Sequence, residues 1–214
     1  MADPVVAAPR MNSLIHRAVL RDLDRFGQAL PQFSSGDRGR ATGLGDAFDR
    51  LDRLLTHHHE GEEEHLWPLL RRQPQDAVEV GRLTEEHDRI VSALGIARTT
   101  FGRLRTSASA TDAQEAGAAV DEVRAAAAAH FQHEERDLPE LLAAADQEAL
   151  PGAVRKLGRG QPLREALVFL QWVADGTDAD QRAFLRSTIP PPVHWLSKRL
   201  AGRRYAAVTS AAWG

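Results

Sequence analysis

The chain has 214 residues, 43% of them hydrophobic and 27% charged, with a formal net charge of −3. This composition supports a sizeable core and offers no single-sign field to recruit nucleic acid. Cysteine is absent, which excludes disulfides, thiolate metal sites, iron–sulfur clusters and cysteine nucleophiles and leaves nitrogen and oxygen as metal donors.

The basic cluster Lys198, Arg199, Arg203 and Arg204 is short, Met1 to Arg10 lacks the apolar run of a signal peptide, and the stretch Ala166 to Ala174 is too short to cross a bilayer. The expectation is a cytoplasmic protein with neither a nucleic-acid nor a membrane partner. Alanine, leucine, arginine and glutamate dominate and no segment alternates with period two, so the fold class read from the sequence is all-α. Breaks are predicted at Pro31 to Gly43, Gln73 to Gln75, Thr106 to Thr111, Pro151 and Gly152, Gly158 to Pro162, Gly176 and Thr177, and Pro190 to Pro192.

The first three breaks delimit four long helical segments. In the first, His16 shares a face with Val19, Leu20 and Leu23. The inward stripe of the second runs Leu44, Phe48, Leu51, Leu55, His58, Glu62, His65 and Leu69. The third runs Val80, Leu83, His87, Ile90, Leu94, Ala97 and Phe101, and the fourth Val120, Val123, Ala127, His130, Glu134, Leu138 and Leu141. Each segment thus turns a histidine toward the core. The tail beyond residue 145 is predicted to form three or four shorter helices, among them Leu163 to Ala174, Ala179 to Ser187 and Val193 to Tyr205, with Phe169, Trp172, Phe184 and Trp195 packed on the rest.

The two halves echo each other. His58-x-x-x-Glu62-Glu63-x-x-Leu66-x-Pro68 in one answers His130-x-x-x-Glu134-Glu135-x-x-Leu138-Pro139 in the other. Two such helical hairpins paired antiparallel make an up-down-up-down four-helix bundle over residues 10–145, with residues 146–214 as a helical C-terminal extension. An inward set of four histidines and two glutamates is costly to bury without a partner, and bound dications are one. A histidine and a glutamate four residues apart lie one turn apart on one face, so the carboxylate can reach between two metals while the imidazole caps one. The predicted ligands are His16, His58, Glu62, His87, His130 and Glu134, with His59, Glu63 and Glu135 in a second tier. Such a set fills part of each metal's coordination and leaves room for a small ligand. Imidazole and carboxylate donors without sulfur suit iron or manganese at a redox site, and a closed tetrahedral zinc site would not need the shared pair. His65 and Glu63 are candidate proton donors. His57 is read as solvated, only one member of His57-His58-His59 as fully inward, Glu60 and Glu64 as surface acids, and His133 and His194 as surface residues.

The succession His16, His58-x-x-x-Glu62-Glu63 leading to Leu66-Trp67-Pro68, Glu86-His87, and His130-Phe131-x-x-Glu134-Glu135 resembles the haemerythrin-like domain, also called the HHE cation-binding domain. The resemblance implies a centre of two non-haem iron ions, with a bridging oxo, hydroxo or water, inside a four-helix bundle. It also implies oxygen binding, a nitric oxide or peroxide response, or iron sensing. Oxygen carriers place a second histidine four residues after the one on the third helix. That position is Val91 here, which argues against reversible oxygen transport. The expected function is binding or sensing of dioxygen, nitric oxide or iron, and the alternative is a peroxide-consuming, catalase-like enzyme. A ferritin-like di-iron site would need Glu-x-x-His twice, and only Glu62-x-x-His65 fits.

Overall fold

The computed structural model describes residues 4–72, 74–157 and 162–214. Gln73, and Gly158 to Gln161, within two of the predicted breaks, lie outside the described residues. The described residues are helical with no strand. Four long elements come first: α1 (Pro4–Ala29), α2 (Arg38–Gly61), α4 (Pro74–Ser107) and α5 (Ala110–Ala144), with the four-residue α3 (Trp67–Leu70) between the middle two. α6 (Leu150–Leu157), α7 (Leu163–Ala174), α8 (Ala179–Thr188), α9 (Pro191–Leu200) and α10 (Gly202–Trp213) follow. α5 packs on α4 and α1, α2 packs on α4, and α1 touches α2, so the long helices close a ring. None of the described helices is long and apolar enough to cross a membrane.

Local chemistry sets several ends. The Asp37 side chain accepts from the Arg40 backbone N–H at 2.8 Å and opens α2 before Gly39 and Gly43, which therefore lie inside a helix and not in the predicted break. Ser109 caps α5 in the same way. Pro151 sits in the first turn of α6, where its missing N–H is tolerated, so it starts an element the sequence reading treated as a gap. The predicted Val193–Tyr205 helix is two helices, interrupted at Ala201.

The second segment holds the main departure. Glu62–Leu66 is a π-helical turn between α2 and α3, and the extra residue rotates everything after it. The buried positions beyond Glu62 are Leu66, Trp67 and Leu70, while His65 and Leu69 of the predicted stripe turn partly outward. The stripes predicted for α4 and α5 are buried throughout.

Two apolar clusters result. The larger holds Leu23, Phe26, Phe48, Leu51, Leu55, Ile90, Phe101, Val123 and Phe131; the smaller holds Leu66, Trp67, Leu70, Val80, Leu83, Leu138 and Leu150. On α4 the larger cluster begins at Ile90 and the smaller ends at Leu83, with His87 between; on α5 His130 and Glu134 flank the same junction. The polar residues form one layer sandwiched between two apolar ones. The C-terminal helices share the larger cluster through Trp172, Val173, Leu185, Tyr205 and Ala212. α10 runs so close to α2 that a Cβ on Gly43 would collide with the Ala211 carbonyl. Trp172 and Phe184 are buried as expected, but Trp195 is 62% exposed, with the Arg199 guanidinium over its ring at 5.8 Å.

Candidate metal centre

α1 supplies His16, α2 His58 and His59, the π turn Glu62, α4 His87, and α5 His130 and Glu134. All are buried except His58, whose side chain is 10% exposed. The imidazoles face each other in pairs, His16 Nε2 to His58 Nε2 at 3.1 Å and His87 Nε2 to His130 Nε2 at 3.0 Å. Each glutamate lies between the pairs. Glu62 places Oε1 3.5 Å from His58 Nε2 and Oε2 3.6 Å from His87 Nε2. Glu134 Oε2 stands 3.2 Å from His16 Nε2 and 3.7 Å from His130 Nε2. Donor atoms converge in two groups, His16, His58 and Glu134 in one and His59, Glu62, His87 and His130 in the other, each within 4.8 Å.

Carboxylates hold the outer nitrogens of three imidazoles: Glu135 at His16 Nδ1 (2.8 Å), Glu63 at His87 Nδ1 (3.2 Å) and Glu86 at His130 Nδ1 (3.1 Å). Such a partner keeps the ring proton on Nδ1 and leaves the Nε2 lone pair facing inward, the arrangement that orients metal-ligating histidines. Glu63 is itself held by the Thr84 hydroxyl at 2.7 Å and by Arg71 at 3.3 Å. Asn12 donates to Glu134 Oε1 at 2.9 Å. Phe131 stacks on His16 with centroids 3.8 Å apart, and His59 stacks on His87 at 4.0 Å.

Burial pushes His58 and His59 well below the ordinary histidine value, His87 down to about 3, and His130 down despite Glu134 and Glu86. Burial would do the same to His16, but its hydrogen bonds to Glu134 and Glu135 outweigh it and raise the value. Glu62 is pushed well above the carboxylate range by burial, with the Glu134 charge adding to it. Burial would raise Glu134 too, but the His16 hydrogen bond and the surrounding imidazoles hold it below that range. Without metal, the layer therefore contains one ion pair, His16 with Glu134, among neutral imidazoles in their ligating form.

The donor set fits a metal. Both ring nitrogens of His59 and Oε2 of Glu62 are buried without a hydrogen-bond partner, and Glu134 Oε2 has only His16 Nε2 at 3.2 Å. Each such atom costs about 1–3 kcal/mol unless something satisfies it, and a cation satisfies the carboxylate oxygens and the one His59 ring nitrogen that carries a lone pair.

All six residues in the first tier of predicted ligands meet in this layer, and His59 joins them. Two of His57, His58 and His59 thus face the layer instead of one, because His58 and His59 straddle the broad inner face just before the π turn. His57 is half-buried with Nε2 covered, not solvated as expected. Glu63 and Glu135 stand at outer nitrogens. The π turn carries His65 outward, where its Nδ1 is 3.8 Å from the exposed Glu64. Glu60 is exposed as well. His133, expected at the surface, is half-buried with Nδ1 on Glu86 at 2.9 Å and Nε2 close to Glu79 and Asp137. Asn12, Glu86 and the stacking of Phe131 had no assigned role in the sequence reading.

Residues 13–100 match the family model of the hemerythrin HHE cation binding domain. The matched segment contains His16, His58, Glu62 and His87, whereas His130 and Glu134 lie beyond it. No curated protein matches the chain, and no solved structure does. The HHE match and the two converging donor groups together support cation binding here.

Proposed function

We propose that the chain is a non-haem di-iron protein that binds or senses a small ligand, dioxygen or nitric oxide, or iron itself. In this reading residues 10–145 are an up-down-up-down four-helix bundle holding both ions and residues 146–214 its helical extension. The supporting observation is that each of two buried glutamates reaches between two imidazole pairs whose Nε2 atoms face one another. His16 and His58 would hold one ion, His87 and His130 the other, with Glu62 and Glu134 shared and His59 beside the second. Iron bound there would supply open coordination positions and one-electron chemistry toward the small ligand.

The chain's own contribution is orientation and exclusion of water. Glu135, Glu63 and Glu86 fix three imidazoles, and the apolar clusters on either side keep the layer dry. A groove of about 770 Å³ between α1 and α5, reaching His16, Phe131 and Glu135, offers a small molecule an approach.

The second reading is a peroxide-consuming, catalase-like enzyme. It is favoured by Glu63, whose side chain is 32% exposed and 3.2 Å from His87 Nδ1, so that it can move a proton between solvent and that imidazole while Thr84 and Arg71 hold it in place.

The test is iron per chain in protein purified without added metal, with optical spectra before and after air, nitric oxide and peroxide. Two irons per chain are expected, and His16→Ala, His58→Ala, His87→Ala and His130→Ala should each lower that content while helicity remains. Wild-type loading in His87→Ala and His130→Ala would sink the shared assignment. Steady oxygen evolution from peroxide, lost in Glu134→Ala, would select the enzyme; a spectral change without turnover would select the binder.

A further inference from the structure

A cleft of about 740 Å³ lies between α2, α7 and α10; His57 and Glu60 line it, but none of the proposed metal ligands does. Its floor is Arg50, only 7% exposed, whose guanidinium lies 5.3 Å from the Tyr205 ring. A buried cation costs several kcal/mol unless paired in good geometry. The acid facing Arg50 is Asp22, 3.8 Å from Nη2 and already accepting from Arg21, Arg25 and the Trp172 indole. Nε and Nη2 of Arg50 make no hydrogen bond, and neither do the covered Thr56 Oγ1 and His57 Nε2 on the same wall. Burial holds Arg50 below the ordinary arginine value, and Asp22 opposes it only in part.

The lining acids are mostly taken. Asp46 and Asp49 both accept from Arg105, and Asp52 is chelated by Arg98. What remains is Arg50 inside, with only the 3.8 Å contact to Asp22, and, without an ion pair among the described residues, Arg53, Arg164 and Arg204 at the mouth, against the exposed Glu60 and Glu165. Leu54, Val168, Phe169 and Val208 supply an apolar wall. The volume is that of a small-molecule site, and a buried guanidinium beside an apolar wall can orient an acid.

We propose that this cleft is a second binding site, for a small organic anion, a carboxylate or phosphate ester with an apolar body, whose charged end meets Arg50 and whose body lies on Phe169. The site is independent of the metal reading.

The experiment is isothermal titration of the full chain with benzoate and with phenyl phosphate, using benzyl alcohol as the uncharged control. At least one anion is expected to bind saturably, with benzyl alcohol and the Arg50→Gln variant each weaker by about tenfold or more. The tighter of the two anions identifies the charged group. Arg50 also faces Asp22, so if Arg50→Gln does not fold, Arg204→Gln at the mouth and Phe169→Leu on the wall carry the test, each lowering affinity by about threefold. No saturable binding of either anion, or wild-type affinity in a folded Arg50→Gln or in both other variants, overturns the proposal. Iron content in the Arg50→Gln protein should match wild type, which separates this site from the metal centre.

Discussion

Glu62 and Glu134 look equivalent by position, yet the metal-free protein should respond very differently to Glu62→Gln and Glu134→Gln. Both replacements conserve shape and both should reduce metal content, because each removes a shared carboxylate. In the metal-free layer, however, Glu134 is ionised against a protonated His16 at 3.2 Å, with both side chains 2% exposed or less. Removing one partner of such a buried pair costs about 3–5 kcal/mol. His16 can limit the loss by leaning on Glu135 at 2.8 Å, which is 40% exposed, or by releasing its proton. The expected cost is therefore near the low end, about 3 kcal/mol. Glu62 is held neutral by burial and by the Glu134 charge, so an amide in its place changes metal-free stability by no more than about 1 kcal/mol. Urea unfolding at pH 7 with a chelator present separates the two: with a slope of about 2 kcal/mol per molar, Glu134→Gln lowers the midpoint by about 1.5 M and Glu62→Gln by less than about 0.5 M. Equal midpoints, or a costlier Glu62→Gln, would refute the assignment of charge within the layer.

The metal-free protein should lose stability as pH falls from 6.5 toward 4.5. His58, His59, His87 and His130 stay neutral when folded but bind protons when unfolded, while Glu62 releases one on unfolding; the net uptake of three gives a slope of at most about 4 kcal/mol per pH unit. Urea midpoints at pH 6.5 and 5.5 measure it, and a flat or rising midpoint on acidification contradicts it. Leu66→Ala should cost about 3 kcal/mol and Leu69→Ala about 1 kcal/mol, since only Leu66 is fully buried; equal costs in chemical denaturation would restore an uninterrupted α-helix. Trp172→Phe deletes the indole hydrogen bond to Asp22 Oδ2 at 2.8 Å in a fully buried site and should lower stability by about 1–3 kcal/mol, again read from the unfolding midpoint. No change would mean that the C-terminal helices are not part of the same cooperative unit.

The four-residue spacing that put His58 with Glu62 and His130 with Glu134 on one face was enough to bring six polar residues into one layer, because α4 and α5 run without interruption and keep the register of their stripes. It was not enough for His65, Leu66 and Leu69. A π turn inserts one residue with no proline or glycine inside Glu62–Leu66 to announce it, so the stripe template continued on the wrong face. The tail was legible as helices and Trp172 as core, but nothing local in Gly43 indicated that α10 would lie against it. That contact spans most of the chain.

Glu63 and Glu135, expected as second-tier ligands, stand with Glu86 at outer imidazole nitrogens, and their place in the sequence carries the reason. Glu63 follows Glu62, Glu135 follows Glu134, and Glu86 precedes His87. Neighbours on a helix point about 100° apart, so a residue beside a ligand cannot share its metal readily. It can reach the helix alongside. Glu63 reaches His87 on α4, Glu86 on α4 reaches His130 on α5, and Glu135 on α5 reaches His16 on α1. An acid adjacent in sequence to a ligand thus serves the imidazole of the next helix, and the same doubled acids tie the helices together around the layer whether or not it holds metal.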